Sequence, residues 1–168
     1  MNYQKELEKI IEGLKPETGR KKLLLHSCCA PCSSYCLEYL SKFFDITLYY
    51  YNPNITDKQE YIKRVEEQKR LIESVNRDWD TDIKFEEGIY NPDKFIENSR
   101  GLEECPEGGE RCKKCFELRL SVAAIYAKEH GFDYYTTTLT ISPLTLYLNI
   151  KIKDIMANVI IPAIPVLC

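Results

Sequence analysis

Apolar positions along this chain change period several times, and each change marks an element. Between residues 3 and 14, Leu7, Ile10, Ile11 and Leu14 fall on one helical face, which predicts an amphipathic helix. Pro16 and Gly19 break that pattern. Lys22 to His26 (KLLLH) is a short apolar run, the pattern of a buried strand. It ends at Ser27, and Ala30-Pro31 opens a loop followed by a helix to about Phe43. Asp45 to Tyr51 (DITLYYY) is β-branched and aromatic, hence a second strand, and Asn52-Pro53-Asn54 is a turn signal. Residues 57–76 read as a long charged helix with Tyr61, Val65, Leu71 and Ile72 facing inward. Asp82 to Phe85 (DIKF) is a third strand. Residues 110–130 form another helix, apolar at Cys115, Leu118, Val122, Ile125 and Tyr126 and closed by Gly131. Tyr134 to Thr140 (YYTTTLT) is a fourth strand.

Strands alternating with helices imply βαβ units, and therefore an α/β domain with a mostly parallel sheet covered by helices on both faces. Ligands of such sheets bind beyond the carboxyl ends of the strands. The segment after strand one, Asn52 to Asn54 after strand two, and Thr140 to Pro143 after strand four should therefore converge on one edge.

Composition narrows the class. The chain has 168 residues, 44% hydrophobic and 29% charged, which describes one ordinary globular domain rather than a disordered segment. A net charge of −3 gives no global electrostatic case for nucleic-acid binding, although a local basic patch can still hold phosphates. No run approaches the roughly 20 apolar residues of a membrane span, so no membrane partner is expected. MNYQKELEKIIEGL lacks the apolar core of a secretory signal, which points to the reducing cytoplasm.

That compartment changes the reading of eight cysteines, because clustered thiols in reducing conditions are more often metal ligands or redox groups than disulfides. Cys28, Cys29, Cys32 and Cys36 sit together; Cys105, Cys112 and Cys115 form a second group, and Cys168 is the terminal residue. His26-Ser27-Cys28-Cys29-Ala30-Pro31-Cys32 places three thiols after a strand and near a helix start, where free N–H groups and the dipole favour thiolate. Gly108-Gly109-Glu110-Arg111-Cys112-Lys113-Lys114-Cys115 adds CxxC spacing at another helix start. Its glycines permit close backbone approach, and Arg111, Lys113 and Lys114 offset thiolate charge. Three readings compete: cysteines buried for packing, a structural zinc site and an iron–sulfur site with four cysteine ligands. CxxC alone is a weak signal. CCxxC joined to a distant CxxC is stronger, because the adjacent pair is awkward in a simple zinc ribbon.

Four blocks carry a family resemblance: LLLHSCCAPCS (23–33), YYNPNI (50–55) with Glu60-Tyr61 and Arg64, EGGERCKKCFELRL (107–120) and TTTLTISP (136–143). In this order they resemble the signature blocks of the QueH-type epoxyqueuosine reductases. The resemblance implies a Rossmann-like scaffold and reduction of the epoxide of epoxyqueuosine in tRNA to queuosine. It also implies an iron–sulfur cluster, of the 4Fe-4S type, with an additional iron ion nearby. On this sequence it places Cys28, Cys29, Cys112 and Cys115 as cluster ligands and Cys32 as a ligand of the adjacent metal. Cys36 and Cys105 match no block and read as incidental thiols.

Removing an epoxide oxygen requires two electrons and a destination for that oxygen. A cluster relays electrons singly, and an iron with an open position acts as a Lewis acid. A proton donor is needed too; Tyr50, Tyr51 and His26 are candidates by position, with structural hydrogen bonding as the bland alternative. The expected partners are a tRNA carrying epoxyqueuosine and an electron donor. Lys58, Lys63, Arg64, Lys69 and Arg70 line one helix for phosphates, with Arg119 from another block, and Tyr49, Tyr50 and Tyr51 offer stacking surfaces. The bland reading is a solvated helix face balanced by Glu60, Glu66 and Glu67. Beyond Pro143 the family continues through Lys-Asn and an aromatic-Arg-Gln stretch to Tyr-Cys-Gly-Cys, whereas LTLYLNIKIKDIMANVIIPAIPVLC follows here. Residues 1–143 thus read as one metal-binding catalytic domain, and residues 144–168 as a divergent or truncated tail. Two other functions stay open: a non-enzymatic zinc module binding nucleic acid or protein, and a PP-loop-like tRNA thiolation enzyme. Ser27-Cys28-Cys29 stands where the latter would need a phosphate loop.

Overall fold

The structure is a computed structural model that describes residues 3–15 and 19–141. Its central strand is β1 (Lys21–His26), in which Leu23, Leu24 and Leu25 are all fully buried. Successive side chains of a strand point to opposite faces, so three buried leucines in a row require cover on both sides. β1 pairs in parallel with β2 (Phe44–Tyr50), Leu23 opposite Ile46, and on its other edge with β4 (Tyr134–Thr137), Leu23 opposite Tyr134. β3 (Lys84–Glu87) lies parallel to the outer edge of β2. The sheet is four-stranded, all parallel, in the order β3-β2-β1-β4.

The helices are α1 (Tyr3–Glu12), α2 (Ala30–Leu40), α3 (Lys58–Trp79), α4 (Pro92–Asn98) and α5 (Glu110–Glu129), and a 3-10 turn, Thr138–Ile141, follows β4. Two apolar clusters sort them by face. Leu23, Leu25, Ile46, Leu48 and Tyr50 pack with Leu7 of α1, Leu37 and Leu40 of α2, and Val65 and Ile72 of α3. Leu24, Tyr49 and Tyr135 pack instead with Leu120, Ala123, Ala124 and Ala127 of α5. The α/β architecture with helices on both faces follows from that alternation. α3 starts where the Asp57 carboxylate caps the Glu60 N–H at 2.7 Å and stops at Asp80, in left-handed conformation.

Several details depart from the sequence expectations. The third strand begins two residues later than DIKF, since Ile83 is held by the side chain of Asn76 before the ladder starts. The fourth strand ends at Thr137, because the Leu139 N–H turns back to Thr137 Oγ1 at 3.1 Å. α4 had no apolar period to announce it; the Asn91-Pro92 pair at its start was the available signal. The buried face of α5 is Arg119, Leu120, Ala123, Ala124 and Ala127, whereas Ile125 is 48% exposed. Small side chains let that helix approach Tyr49 and Tyr135, while Val122 and Tyr126 pack at the margin of the same cluster, Tyr126 stacked on Tyr49 at 4.4 Å between ring centroids. Tyr49, Tyr50 and Tyr51 are buried in the two clusters or against them, so they are core rather than a surface for stacking bases. Among the described residues no helix is long and apolar enough to cross a membrane. Residues 144–168, including Cys168, lie outside the described residues, as do Ser142 and Pro143.

The packing of α5 is tested by enlarging it. Ala124→Leu should destabilise the fold by about 1–3 kcal/mol through overpacking, while Ile125→Ala should stay within about 0.5 kcal/mol. Denaturant unfolding of both variants measures the difference.

Candidate functional site

The chain progresses from β1 to β2 to β3 in one direction and then returns to place β4 on the other side of β1. At such a reversal the connecting helices leave toward opposite faces, and a crevice opens beyond the carboxyl ends of the two strands that flank it, here β1 and β4. Cys28 and Cys29 lie in that crevice. Cys29 is the N-cap of α2 in extended conformation, Pro31 occupies the first turn, and Cys32 follows it. The sulfurs of Cys28, Cys29 and Cys32 all lie within 4.8 Å of one another, and those of Cys28 and Cys29 are 3.8 Å apart. All three thiols are partly exposed. Three convergent thiols suit a thiophilic metal ion or a cluster, and leave a tetrahedral ion one further position.

Neighbouring strand ends hold this loop. His26 is fully buried, with Nε2 3.1 Å from the Tyr51 carbonyl oxygen and Nδ1 2.9 Å from Thr137 Oγ1. A carbonyl only accepts, so the ring proton resides on Nε2 and Nδ1 accepts from the threonine hydroxyl. Burial, assisted by the charge of Arg119, lowers the His26 pKa to about 3. The imidazole is therefore neutral and committed to structure, which removes His26 from the proton-donor candidates. Thr138 Oγ1 accepts the Cys28 N–H at 3.1 Å and donates to Cys28 Sγ at 3.2 Å. Ser27 Oγ sits 2.6 Å from Ser33 Oγ and 3.1 Å from Gln68 Oε1, which joins α2 and α3 to the loop. The run of three threonines at 136–138 was the signal for this support, and its hydroxyls acquire meaning only once β4 lies beside β1.

The expectation that the helix terminus favours thiolates is not met at Cys28 and Cys32. Burial raises the Cys28 pKa despite the Thr138 hydrogen bond and the charge of Arg119. Burial again, then the sulfur of Cys29, raises that of Cys32. Loss of water and mutual repulsion outweigh the dipole here. A bound cation would reverse that balance, because metal ligation deprotonates thiols.

Arg119 is likewise a correction. It is 4% exposed, so it is no surface contact for phosphates. One terminal nitrogen donates to Asn52 Oδ1, and Asn52 Nδ2 donates to the Ser27 carbonyl at 2.9 Å. Arg64 is partly exposed and pairs with Glu60 at 2.7 Å. Lys58, Lys63 and Arg70 are exposed on α3, and Lys69 lies 3.8 Å from Glu66.

Cys112 and Cys115 stand in the first turns of α5 and are not members of the three-thiol group. Gly108, at φ 80°, adopts a conformation that a side chain would strain and aims its N–H at Cys112 Sγ, 3.4 Å away. Burial raises the Cys115 pKa, opposed by the charge and hydrogen bond of Arg119. Cys36 is fully buried among the core residues of α2, as packing residues are, and Cys105 lies in the loop before α5.

Tyr50 is fully buried, and its hydroxyl has no hydrogen-bond partner among the described residues. Burial pushes its pKa up to about 12, with Arg64 and Arg119 opposing and Cys28 and Cys29 adding to the rise. Asn54 Oδ1, on the following turn, is also buried without a hydrogen-bond partner among the described residues. Of these groups, the Tyr50 hydroxyl is the one that interacts electrostatically with the thiols of Cys28 and Cys29.

Comparison with known proteins adds an independent line. A family model described as "Epoxyqueuosine reductase QueH" matches residues 23–159. The chain is 46% identical over 145 residues to a protein of Staphylococcus epidermidis named epoxyqueuosine reductase QueH, covering 85% of this chain and 61% of that protein. A protein of the same name from Streptococcus pyogenes is 43% identical, covering 85% and 56%, and one from Haemophilus influenzae is 41% identical, covering 79% and 52%. The chain thus spans between about half and three fifths of the length of these curated relatives.

The threonine support can be measured directly. Thr137→Val deprives the buried His26 Nδ1 of its hydroxyl partner, and should cost about 1–3 kcal/mol in denaturant unfolding. Thr137→Ser, which keeps the hydroxyl, should recover most of that loss.

Proposed function

The chain belongs to the QueH family of epoxyqueuosine reductases, and from that premise we propose that it reduces the epoxide of epoxyqueuosine in tRNA to queuosine, in the cytoplasm. The observation that carries this reading is the convergence of Cys28, Cys29 and Cys32 in the crevice at the carboxyl edge of the sheet. Opening an epoxide to an alkene consumes two electrons and two protons and releases water. The electrons come from an external donor. The group we assign to the site is a 4Fe-4S cluster with an additional iron ion. Cys28, Cys29, Cys112 and Cys115 would hold the cluster and Cys32 the neighbouring iron. When bound, these metals supply single-electron transfer and a Lewis acid for the departing oxygen.

The chain's own groups do the rest. Thr138 orients Cys28 through paired hydrogen bonds with its N–H and sulfur. Tyr50 keeps its proton at neutral pH, since burial holds its pKa near 12, and it is the proton donor we assign. Asn54 Oδ1, without a partner among the described residues, offers a further polar contact to a hydroxylated ring. On the tRNA side, Lys58, Lys63 and Arg70 leave exposed cations along α3, and Arg64 reaches from the same helix toward the Cys29 side of the crevice. The buried Tyr49–Tyr51 run plays no part in stacking; bases of the anticodon must find their platform elsewhere.

Anaerobically isolated protein should be brown and contain iron and sulfide, and Cys28→Ala or Cys112→Ala should lose the chromophore. Stoichiometric zinc without sulfide would overturn the cluster assignment. In a strain lacking its own epoxyqueuosine reductase, expression of the gene should convert epoxyqueuosine in tRNA to queuosine, read by nucleoside analysis. Persistence of epoxyqueuosine with soluble, metal-loaded protein would overturn the substrate. Tyr50→Phe should lower kcat by about 10²–10⁴-fold while metal content stays at the wild-type level.

A further inference from the structure

Arg119 presents a problem that the rest of the site does not solve. Its guanidinium is charged at every accessible pH, yet it is 4% exposed. A buried charge is held by a counter-ion or it is among the most costly groups a fold can enclose. Among the described residues no carboxylate pairs with it. Its contacts are neutral: Asn52 Oδ1 on one terminal nitrogen and the thiol of Cys115. Its Nε is buried with no hydrogen-bond partner among the described residues.

Its position is as telling as its isolation. Arg119 lies on α5 four residues after Cys115, one helical turn along the same face. Through Asn52 it reaches the carbonyl of Ser27, the residue before Cys28. Its positive potential acts on the thiols of both Cys28 and Cys115, and on the Tyr50 hydroxyl. It is thus the described side chain whose field spans both cysteine groups, although these stem from opposite sides of the sheet.

We propose that Arg119 is the resident counter-charge of the metal centre, a positioning residue whose guanidinium balances the negative charge of the thiolate-ligated group and locks the two cysteine-bearing segments together. The inference rests on the reading of these thiols as metal ligands, and not on which metal or which substrate is involved. The charge arithmetic is simple. Three thiolates around a divalent ion leave one net negative charge, and four around a cluster of two positive charges leave two. Either is the anion that Arg119 lacks. Lysine would supply the charge but not the planar fork that serves Asn52 and the sulfur side at once.

The test compares Arg119→Met, Arg119→Gln and Arg119→Lys with wild type, each in metal-free and metal-loaded form. Three quantities are read: the Tm gained on loading, the rate of metal loss to a chelator, and the midpoint potential followed by visible absorption. In the metal-free form Arg119→Met should be at least as stable as wild type, because an unpaired buried charge has been replaced by a side chain of similar volume. On loading it should recover less of the Tm gain, lose metal at least tenfold faster, and show a more negative potential. Arg119→Gln, which can still bond Asn52, should behave like Arg119→Met; it decides the matter if the methionine variant does not fold. Arg119→Lys should keep the potential close to wild type while losing metal faster. Wild-type Tm gain, chelator rate and potential in both neutral variants would overturn the proposal while leaving the metal reading intact. Wild-type protein that takes up no metal at all would overturn both, and its metal content reports that separately. Zinc-loaded protein still yields the Tm and chelator readings, so replacement of iron by zinc removes only the proposed cofactor and leaves Arg119 under test.

Discussion

β1 is hydrogen-bonded on both edges and covered on both faces, so its carboxyl end is the place where its neighbourhood opens. The reversal of strand order between β1 and β4 creates that opening, because crossovers on its two sides leave toward opposite faces. Everything chemical in the molecule is set by this constraint. The thiols of Cys28, Cys29 and Cys32 occupy the opening, Thr138 reaches them from β4, and Asn52 reaches their loop from β2. A different strand order would take Thr138 and Asn52 away from the cysteine loop.

Placing a polar loop there sets local preferences against burial. Helix N-termini favour thiolates, yet the metal-free thiols of Cys28 and Cys32 are held toward the neutral form by loss of water and by one another. His26 is driven neutral by the same burial and is spent on two hydrogen bonds. Ser27, Ser33 and Gln68 satisfy most of one another, which lets α2 and α3 pack on a segment that would otherwise carry unpaired polar groups. Of the groups left without a hydrogen-bond partner among the described residues, the Tyr50 hydroxyl and Arg119 Nε belong to side chains that interact electrostatically with the thiols. Unused hydrogen-bonding capacity on such side chains is what a binding site requires before its ligand arrives.

α5 serves two purposes along its length. Its C-terminal half turns a face of alanines to Tyr49 and Tyr135, which brings the helix close to the sheet. Its N-terminal half carries Cys112 and Cys115, with Arg119 between the two regions. Close packing at one end thereby sets where the thiols and the guanidinium stand at the other.

Much of this was legible in the residues alone. The period of apolar positions marked β1, β2, α3 and α5 to within a few residues, because burial imposes a repeat of two on strands and of about 3.6 on helices. The spacing of Cys28, Cys29 and Cys32 after a strand marked where three thiols converge, because neighbours in sequence cannot be far apart in space. Tertiary structure decided what depends on partners distant in the chain. Tyr49 to Tyr51 and Arg119 carry side chains equally at home on a surface, and only the stacking of helices on the sheet made them interior. Which face of α5 is buried turned on how closely that helix could approach large aromatic rings, a property of the pair and not of either segment. Thr137 and Thr138 are ordinary strand residues until β4 lies beside β1, more than a hundred positions earlier in the chain. Local sequence encodes periodicity and chemical type; the environment that gives a polar side chain its charge state and its role exists only after the strands have been ordered.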